Sequence, residues 1–139
     1  MSQEQPEFSN WKDAWEWHAG QAAQAYDEQT VEDLLEMIRQ RQYDPYYQIW
    51  YNLRDKGTLA TCAPVLLEVL RREAGEQMML VRYHCAAALF HLLGHRDEPI
   101  PKLRARVQWD HQGEEARQQA ILELERRIER KLGWKLNEP

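Results

Sequence analysis

Apolar side chains recur along this chain at the three- and four-residue spacing of an α-helix, and no stretch alternates strictly as a half-buried strand would. The first helix is predicted over residues 9–26, with Ser9 or Asn10 as its N-cap, and residues 1–8 are expected to be disordered. Trp17 falls on the polar side of this helix. The opposite stripe holds the predicted core side chains: Trp11, Ala14, Trp15, His18, Ala22, Ala25 and Tyr26.

A helix, a turn and a second helix are predicted over residues 30–57. Thr30, followed three residues later by an acid, is typical of a capping box and predicts a helix start. This helix should stop before Asp44, because a residue that precedes proline avoids the helical region. Since proline is tolerated in the first turn of a helix, the next helix is predicted to begin at Pro45 and to end at Gly57, a natural left-handed cap.

The same order of helix, turn, helix and glycine returns over residues 58–94 and 95–133. The closing glycines Gly57, Gly94 and Gly133 are 37 and 39 residues apart. A period of about 40 residues in a helical chain indicates a solenoid, because one hairpin cannot bury both of its faces and must stack on another. The turns within the three hairpins are predicted at residues 41–45, 73–76 and 110–113.

The segment 80–94 resembles the second helix of a HEAT repeat: a Val-Arg pair is followed by small residues, leucines and a glycine. Residues 63–70 resemble the matching first helix. The resemblance implies an all-α fold, a short right-handed α-solenoid of the armadillo type with about three HEAT-like hairpins. Residues 9–26 would be its N-terminal capping helix, and 1–139 would form a single domain.

The first and third repeats depart from the family pattern. Aromatic residues replace the expected small residues in 30–57, and charged residues replace them in 95–133. The last helix, predicted over 114–132, has one apolar stripe, while Arg117 and Glu125 belong to its charged faces. A solenoid needs such polar-faced terminal units to stay soluble.

The composition is that of a globular protein: 139 residues, of which 43% are hydrophobic and 29% charged. The net charge of −5 argues against a phosphate-binding surface and against nucleic acid as the partner. Residues 1–40 carry a net charge of −7 and the remainder +2. The acidic segment is interpreted either as a solvated helix or as an acidic docking face.

The sequence also predicts a compartment. No segment has the apolar length of a membrane span, and the polar N-terminus is unlike a secretory signal. Two cysteines are too few for a disulfide framework, so a cytoplasmic protein is expected. Antiparallel pairing in the middle hairpin should place Cys62 and Cys85 within about two helical turns of each other, buried and reduced.

Residues with catalytic or metal-binding potential are sparse. His84, His91 and His95 approach one helix face as zinc ligands could, but Gly94 should end the helix first, and Cys85 points roughly 100° away. No nucleophile motif and no Gly-rich phosphate loop occurs. We therefore expect no metal, no cofactor and no enzymatic activity. Some HEAT-like proteins are DNA glycosylases, but those need a basic surface over more repeats.

The resemblance implies protein binding, usually through the second helix of each pair. One side of the predicted helices 45–56 and 77–93 combines apolar area with polar tips, which suits an interface. Alternatively, Tyr47 and Tyr51 pack against the N-terminal helix. The predicted partner-binding residues are Tyr47, Tyr51, Arg54, His84 and His91, with Trp17 as a weaker candidate.

The predicted function is a non-enzymatic protein–protein interaction module, a small scaffold or adaptor. Two alternatives remain open. One is a dedicated inhibitor of a single partner, such as an immunity protein, whose negative charge would suit a basic target. The other is a lyase-like or chaperone-like helper of a cofactor-bearing protein. A monomer is expected, with a dimer as the alternative.

Overall fold

The computed structural model describes residues 7–94 and 100–136 of the chain. Within these ranges every regular element is helical, which confirms the predicted all-α fold, and no helix has the length and apolarity needed to cross a bilayer. A short 3-10 turn, Glu76–Met78, precedes the fifth helix. The α-helices are α1 Trp11–Asp27, α2 Val31–Arg39, α3 Gln48–Lys56, α4 Leu59–Arg72, α5 Met79–Leu93, α6 Ile100–Gln108 and α7 Glu114–Leu132. Residues 1–6, most of the segment for which disorder was predicted, lie outside the described part, and so does His95, which was considered as a zinc ligand and set aside. Phe8, at the end of that segment, packs against Trp17 and His18.

Side-chain caps define several helix starts where the sequence predicts them. The Asn10 side chain accepts the Asp13 backbone N–H at 2.9 Å, which caps α1. The Thr30 hydroxyl accepts the Asp33 N–H at 3.1 Å, and the Asp33 carboxylate accepts the Thr30 N–H at 3.3 Å. This reciprocal capping box satisfies two N–H groups that have no partner inside α2.

The predicted start of α3 at Pro45 is wrong, because the helix begins three residues later at Gln48. The Asp44 carboxylate accepts backbone N–H groups from Tyr46, Gln48 and Ile49 at 3.2, 3.0 and 2.9 Å. Tyr47 adopts a left-handed conformation with φ 60°, which is rare for a bulky residue. Asp44 thus acts as the cap, and the proline lies in the turn before the helix.

Gly57 ends α3 but does not form the predicted left-handed cap. Its backbone is extended, with φ −90° and ψ 172°. A Cβ atom there would lie only 2.3 Å from Cys62 Sγ, so close packing requires the glycine. Gly133, by contrast, has φ 82° and ψ 12°, and it is the left-handed cap that the sequence predicts for α7.

Each predicted hairpin forms, but the third joins the others with its two helices exchanged. α2 packs on α3, α4 on α5 and α6 on α7. One row of helices consists of α2, α4 and α7, and the second row of α1, α3, α5 and α6. In a regular stack α6 would pack on α4, whereas here α7 occupies that place and α6 packs on α5.

Polar contacts explain why α7 packs beside α4. Arg117 donates to the Leu70 carbonyl, and the Gln118 side-chain amide donates to the Arg71 carbonyl at 3.0 Å. Glu125 forms an ion pair with Arg71. The prediction that Arg117 and Glu125 lie on solvent-facing sides of the last helix is therefore wrong, since both are buried between the helices.

The core lies between the two rows. It is formed mainly by residues of α2 to α7, including Leu34, Trp50, Leu66 and Leu89, and Tyr26 of α1 joins it.

The predicted stripe of α1 is only partly correct. Trp11 is 80% exposed, and Ala19 is buried in its place. Because α1 packs mainly on α3, only a narrow part of its surface needs to be apolar. Elsewhere on α1, Trp15 and Ala25 are exposed, Ala14, His18 and Ala22 are half-buried, and Tyr26 is buried.

Basic side chains from neighbouring helices satisfy the carbonyl groups at several helix C-termini. Lys56 Nζ, at the end of α3, donates to the Tyr26 and Asp27 carbonyls in the last turn of α1 and to the Gln29 carbonyl just after it, at 2.8 to 2.9 Å. Arg72, at the end of α4, donates to the Ile38 and Arg39 carbonyls of α2. Lys131, near the end of α7, donates to the Leu93 carbonyl of α5. The last carbonyls of a helix lack the intrahelical donors of its interior. The Tyr26 and Ile38 carbonyls also accept N–H groups from Gln29 and Arg41 in the turns that follow, so the basic side chains add to this bonding.

Arg82 makes the most buried of these contacts. Its Nε donates to the Gln108 carbonyl at 2.8 Å, and its Nη1 donates to the Glu73 and Gly75 carbonyls at 3.1 and 2.6 Å. Arg82, a side chain of α5, thereby links the C-terminal ends of α4 and α6. Cations at these positions also interact favourably with the negative ends of the helix dipoles.

We predict that Arg82→Met lowers the free energy of unfolding by about 2–4 kcal/mol, because buried carbonyls lose charged donors. Arg106→Met is the matched control, since the Arg106 side chain is 47% exposed and paired with exposed Glu123. The control should change stability by about 0.5 kcal/mol or less. Urea denaturation of the three proteins measures both effects, and equal losses would contradict this role of Arg82.

Candidate functional site

Four of the six predicted partner-binding residues meet where α3 and α5 pack together. Tyr47 immediately precedes α3, Tyr51 and Arg54 lie on it, and His84 lies on α5. The Tyr47 and His84 rings are stacked, with centroids 4.2 Å apart and an interplanar angle of 10°. The Tyr51 ring meets His84 edge-on at 5.8 Å, and the Arg54 guanidinium lies 5.1 Å from the Tyr51 ring centroid.

His84 lies at the centre of this cluster and is half-buried. Tyr51 Oη and His84 Nδ1 are 3.5 Å apart, at the limit of a hydrogen bond. Burial lowers the pKa of His84 below its usual 6.5, the Asp44 carboxylate opposes this effect, and the Arg104 guanidinium adds to it. The cluster therefore favours a neutral imidazole, whose ring stacks on Tyr47 without the cost of burying a charge.

Tyr83 belongs to the same surface, although the sequence analysis did not select it. Its ring is 39% exposed and meets His84 edge-on at 5.1 Å. Arg104 of α6 lies over this ring, 5.4 Å from the centroid. A regular stack of hairpins would not place α6 beside α5, so the repeat pattern contained no signal for this contact. We call the set Tyr47, Tyr51, Arg54, Tyr83 and His84 the α3–α5 face.

Trp17 lies in a separate aromatic group on α1. Its ring contacts His18 edge-on at 4.9 Å and Phe8 at 6.0 Å. His18 stacks in turn on Tyr46, with centroids 5.8 Å apart. The Tyr46 ring thus meets the N-terminal helix, at His18 and at Trp15. The rings of Tyr47 and Tyr51 contact His84 of α5.

His91 is the sixth predicted residue. It is exposed and lies seven residues, or about two turns, beyond His84 on α5. It therefore extends the α3–α5 face along the helix. In residues 7–94 and 100–136, no group of three or more histidine, cysteine or acidic residues is placed to hold a metal ion.

The two cysteines are buried, free thiols, as the sequence predicts. Cys85 Sγ donates to the Leu66 carbonyl at 3.3 Å, so it links α5 to α4. Burial raises the pKa of Cys62 to about 11 and raises the pKa of Cys85 as well. Because the thiolate is the reactive form, neither group is arranged as a nucleophile.

An open cleft with a volume of about 300 Å³ lies at the turn between α6 and α7. Trp109 and His111 stack in its wall, with ring centroids 5.8 Å apart. Arg117, which also lines the cleft, directs its guanidinium to Glu114 and to helix carbonyls. The cleft thus offers apolar area with few polar groups that are not already engaged.

Comparison of the chain with protein-family models, with curated proteins and with solved structures gives no match.

We predict that His84 makes the protein less stable below about pH 6.5. The pKa of His84 is lowered by folding, so the unfolded chain binds more protons than the folded one as the pH falls through 6.5 towards the lowered pKa. His84→Gln should reduce this loss, by at most about 1.4 kcal/mol per pH unit, the equivalent of one proton.

Urea denaturation between about pH 7.5 and pH 5 measures this difference. His111→Gln is the control, because it leaves the α3–α5 face in place and should keep the wild-type pH dependence. An unchanged pH dependence in His84→Gln would show that His84 has no lowered pKa in the folded protein.

We also predict that both thiols react with a thiol reagent only when the protein unfolds. Both side chains are fully buried and have raised pKa values, so native protein should label at least about 100-fold more slowly than protein in urea. Mass spectrometry of the labelled protein gives the rate at each cysteine. Rapid labelling of native Cys85 would contradict its burial against Leu66.

Proposed function

We propose that this protein is a non-enzymatic protein-binding module and that the α3–α5 face is its contact surface. One observation carries the proposal. Five aromatic or basic side chains, on α5 and on or directly before α3, converge on one surface and remain partly exposed. Tyrosine, histidine and arginine combine large contact area with polar tips, and tyrosine and arginine are enriched among the residues that dominate binding energy.

The order within the face also supports binding. The stacking of Tyr47 on His84, with Tyr51 and Tyr83 at the edges, restricts the ring rotamers before any partner arrives. Binding then costs less side-chain entropy than it would with freely rotating side chains. The left-handed backbone at Tyr47, which Asp44 stabilises, points to a position that the surrounding structure determines.

The proposal includes a HEAT-like origin for the first two hairpins. The contacts of α2 with α4 and of α3 with α5 are the contacts that two stacked repeats would make. The third hairpin, with α6 and α7 exchanged, would then close the stack, and α1 would cover its other end. The right-handed twist of such a solenoid is implied by the family resemblance and belongs to the proposal.

In this proposal the protein acts as a cytoplasmic monomer without a metal or cofactor. The raised pKa values of Cys62 and Cys85 disfavour the thiolate form that nucleophilic catalysis requires. A helper of a cofactor-bearing protein would use the same kind of contact surface, so this role falls within the proposal as a choice of partner.

The inhibitor of a basic protein is a second candidate, and it would use another surface. Acidic side chains on α1 and α2, including Glu16, Glu32 and Glu36, are exposed. The two candidates therefore predict contacts on different helices. An acidic surface also raises the association rate with a basic partner, which suits an inhibitor.

Photocrosslinking from single positions tests the proposal. A photoreactive amino acid in place of Tyr83 should crosslink a partner protein in lysate of the source organism. The same group in place of Leu122, which is 37% exposed on α7, is the matched control and should not. A third position, Glu32 on the acidic surface of α2, tests the inhibitor, and a partner crosslinked from 32 but not from 83 would favour it. Equal crosslinking from 83 and 122 would contradict a specific α3–α5 face.

Two substitutions then measure the contribution of the face. Tyr51→Ala should reduce crosslinking from position 83 severalfold, since residues at the centre of an interface contribute most to binding. His91→Ala should reduce it to a smaller extent, because His91 lies about two turns beyond His84. Their melting temperatures should stay close to that of the unchanged protein, because both side chains lie outside the core. Full crosslinking by the double variant would place the binding surface elsewhere.

A further inference from the structure

Basic residues are concentrated in three helices of a chain that is acidic overall. α3, α5 and α6 together contain six bases and one acid, a net charge of +5. The rest of the chain therefore carries −10, because the whole chain carries −5. These three helices are neighbours in the second row, where α5 contacts both α3 and α6. Of the six bases, Arg82 is buried and Lys56 binds the end of α1, so the surface charge of this row comes mainly from Arg54 of α3 and from Lys102, Arg104 and Arg106 of α6.

Two arginines lie on opposite sides of the α3–α5 face. Arg54 lies over the Tyr51 ring, and Arg104 lies over the Tyr83 ring. Within the described residues, hydrogen bonds from these two guanidinium groups use only Nε, to Asp55 and to Gln108 at 3.2 and 3.1 Å. Their terminal nitrogens are therefore available to an acceptor from outside, and a guanidinium fork suits a carboxylate.

A second arginine on α6 points in a different direction. Arg106 forms an ion pair with Glu123 of α7 at 2.9 Å through a terminal nitrogen. The ion pair of Arg54 with Asp55 instead uses Nε and leaves both terminal nitrogens of Arg54 without a hydrogen bond among the described residues. Arg104, two residues earlier, lies on the side of α6 that meets α5. The two side chains have the same charge on the same helix, but only Arg104 borders the face.

The aromatic rings favour an acidic protein segment over a nucleic acid strand. Single-stranded nucleic acid binds by stacking its bases on open aromatic faces. Here Tyr47 and His84 stack on each other, and an arginine covers one face of each of Tyr51 and Tyr83. The rest of the chain carries a net charge of −10, which disfavours the binding of a long polyanion. A short segment with a few carboxylates needs no open ring face and carries less negative charge than a long polyanion.

We infer that the α3–α5 face, extended by Arg104, binds an acidic segment of a partner protein. Carboxylates of the segment pair with Arg54 and Arg104, and an apolar side chain between them contacts the exposed edge of Tyr83. The inference rests on the proposed function and adds the chemistry of the partner. Opposite charges of this kind fix orientation and accelerate association, while the aromatic contacts supply apolar burial.

Selection from a random twelve-residue peptide library on the full-length protein tests this assignment. Selected peptides should contain Asp and Glu at about three times their frequency in the unselected library, with an aromatic or aliphatic residue nearby. The Arg54→Glu/Arg104→Glu variant should lose this enrichment. The best selected peptide should bind that variant at least about tenfold more weakly than it binds the unchanged protein. Its affinity for the unchanged protein should decrease with added salt.

The Arg106→Glu/Arg126→Glu variant is the matched control. It makes the same change in net charge at exposed positions away from the face and should keep both the enrichment and the affinity. Melting curves of both double variants show whether each is folded. A variant of the face that does not fold is replaced by Arg104→Gln, for which a severalfold loss of affinity is expected.

Several outcomes would overturn the inference. These are the absence of selected peptides, the absence of acidic enrichment, and equal effects of the two double variants. Tighter binding of a twelve-nucleotide oligo-dT than of the best peptide would assign the face to nucleic acid. If crosslinking from position 83 succeeds while the acidic enrichment fails, the protein-binding face stands and only the acidic assignment is lost. If both fail, the proposed function fails as well.

Discussion

The satisfaction of C-terminal helix carbonyls by basic side chains is the interaction on which this fold depends. A helix leaves its last four carbonyls without internal partners, and short helices have a large share of such groups. Lys56, Arg72 and Lys131 each lie near the end of one helix and bind the end of another. Arg82 and Arg117 do the same from near the starts of α5 and α7. The helix ends are therefore fixed to one another by directional bonds, and apolar packing fills the space between them.

These contacts also explain the exchanged order of the third hairpin. Arg117 reaches carbonyls at the ends of both α4 and α6, which requires α7 to lie beside α4. Arg82 reaches the end of α6 from α5, which requires α6 to lie beside α5. A regular repeat would place neither α7 beside α4 nor α6 beside α5, so it would lack both the contact of Arg117 with α4 and the contact of Arg82 with α6. Apolar stripes alone would accept either order, because they specify area rather than direction.

The exchange also shapes the α3–α5 face. It places the basic helix α6 next to Tyr83 on α5, so that Arg104 covers the Tyr83 ring. The position of α6 therefore determines both how the third hairpin packs and which side chains border the α3–α5 face. Asp44 has a similar double role: its carboxylate caps α3 and sets the backbone at Tyr47, and burial together with Asp44 raises the pKa of Tyr26 to about 12. The same few polar residues thus fix the fold and shape the face.

The sequence by itself determined the local features of this protein. The order of the helices and the caps at Asn10, Thr30 and Gly133 followed from periodicity and cap chemistry, which act within a few residues. The meeting of Tyr47, Tyr51 and His84 also followed, because the first two hairpins stack in a simple order.

Only the tertiary structure decided the features that depend on distant partners. The burial of Arg117 and Glu125 depends on α4, the start of α3 depends on the geometry of one carboxylate, and Gly57 is needed because Cys62 approaches it. Tyr83 and Arg104 met because α6 changed rows. A charged residue on a helix surface gives the same sequence signal whether it faces water or a neighbouring helix end, so its burial is set by the carbonyls that the fold brings to it.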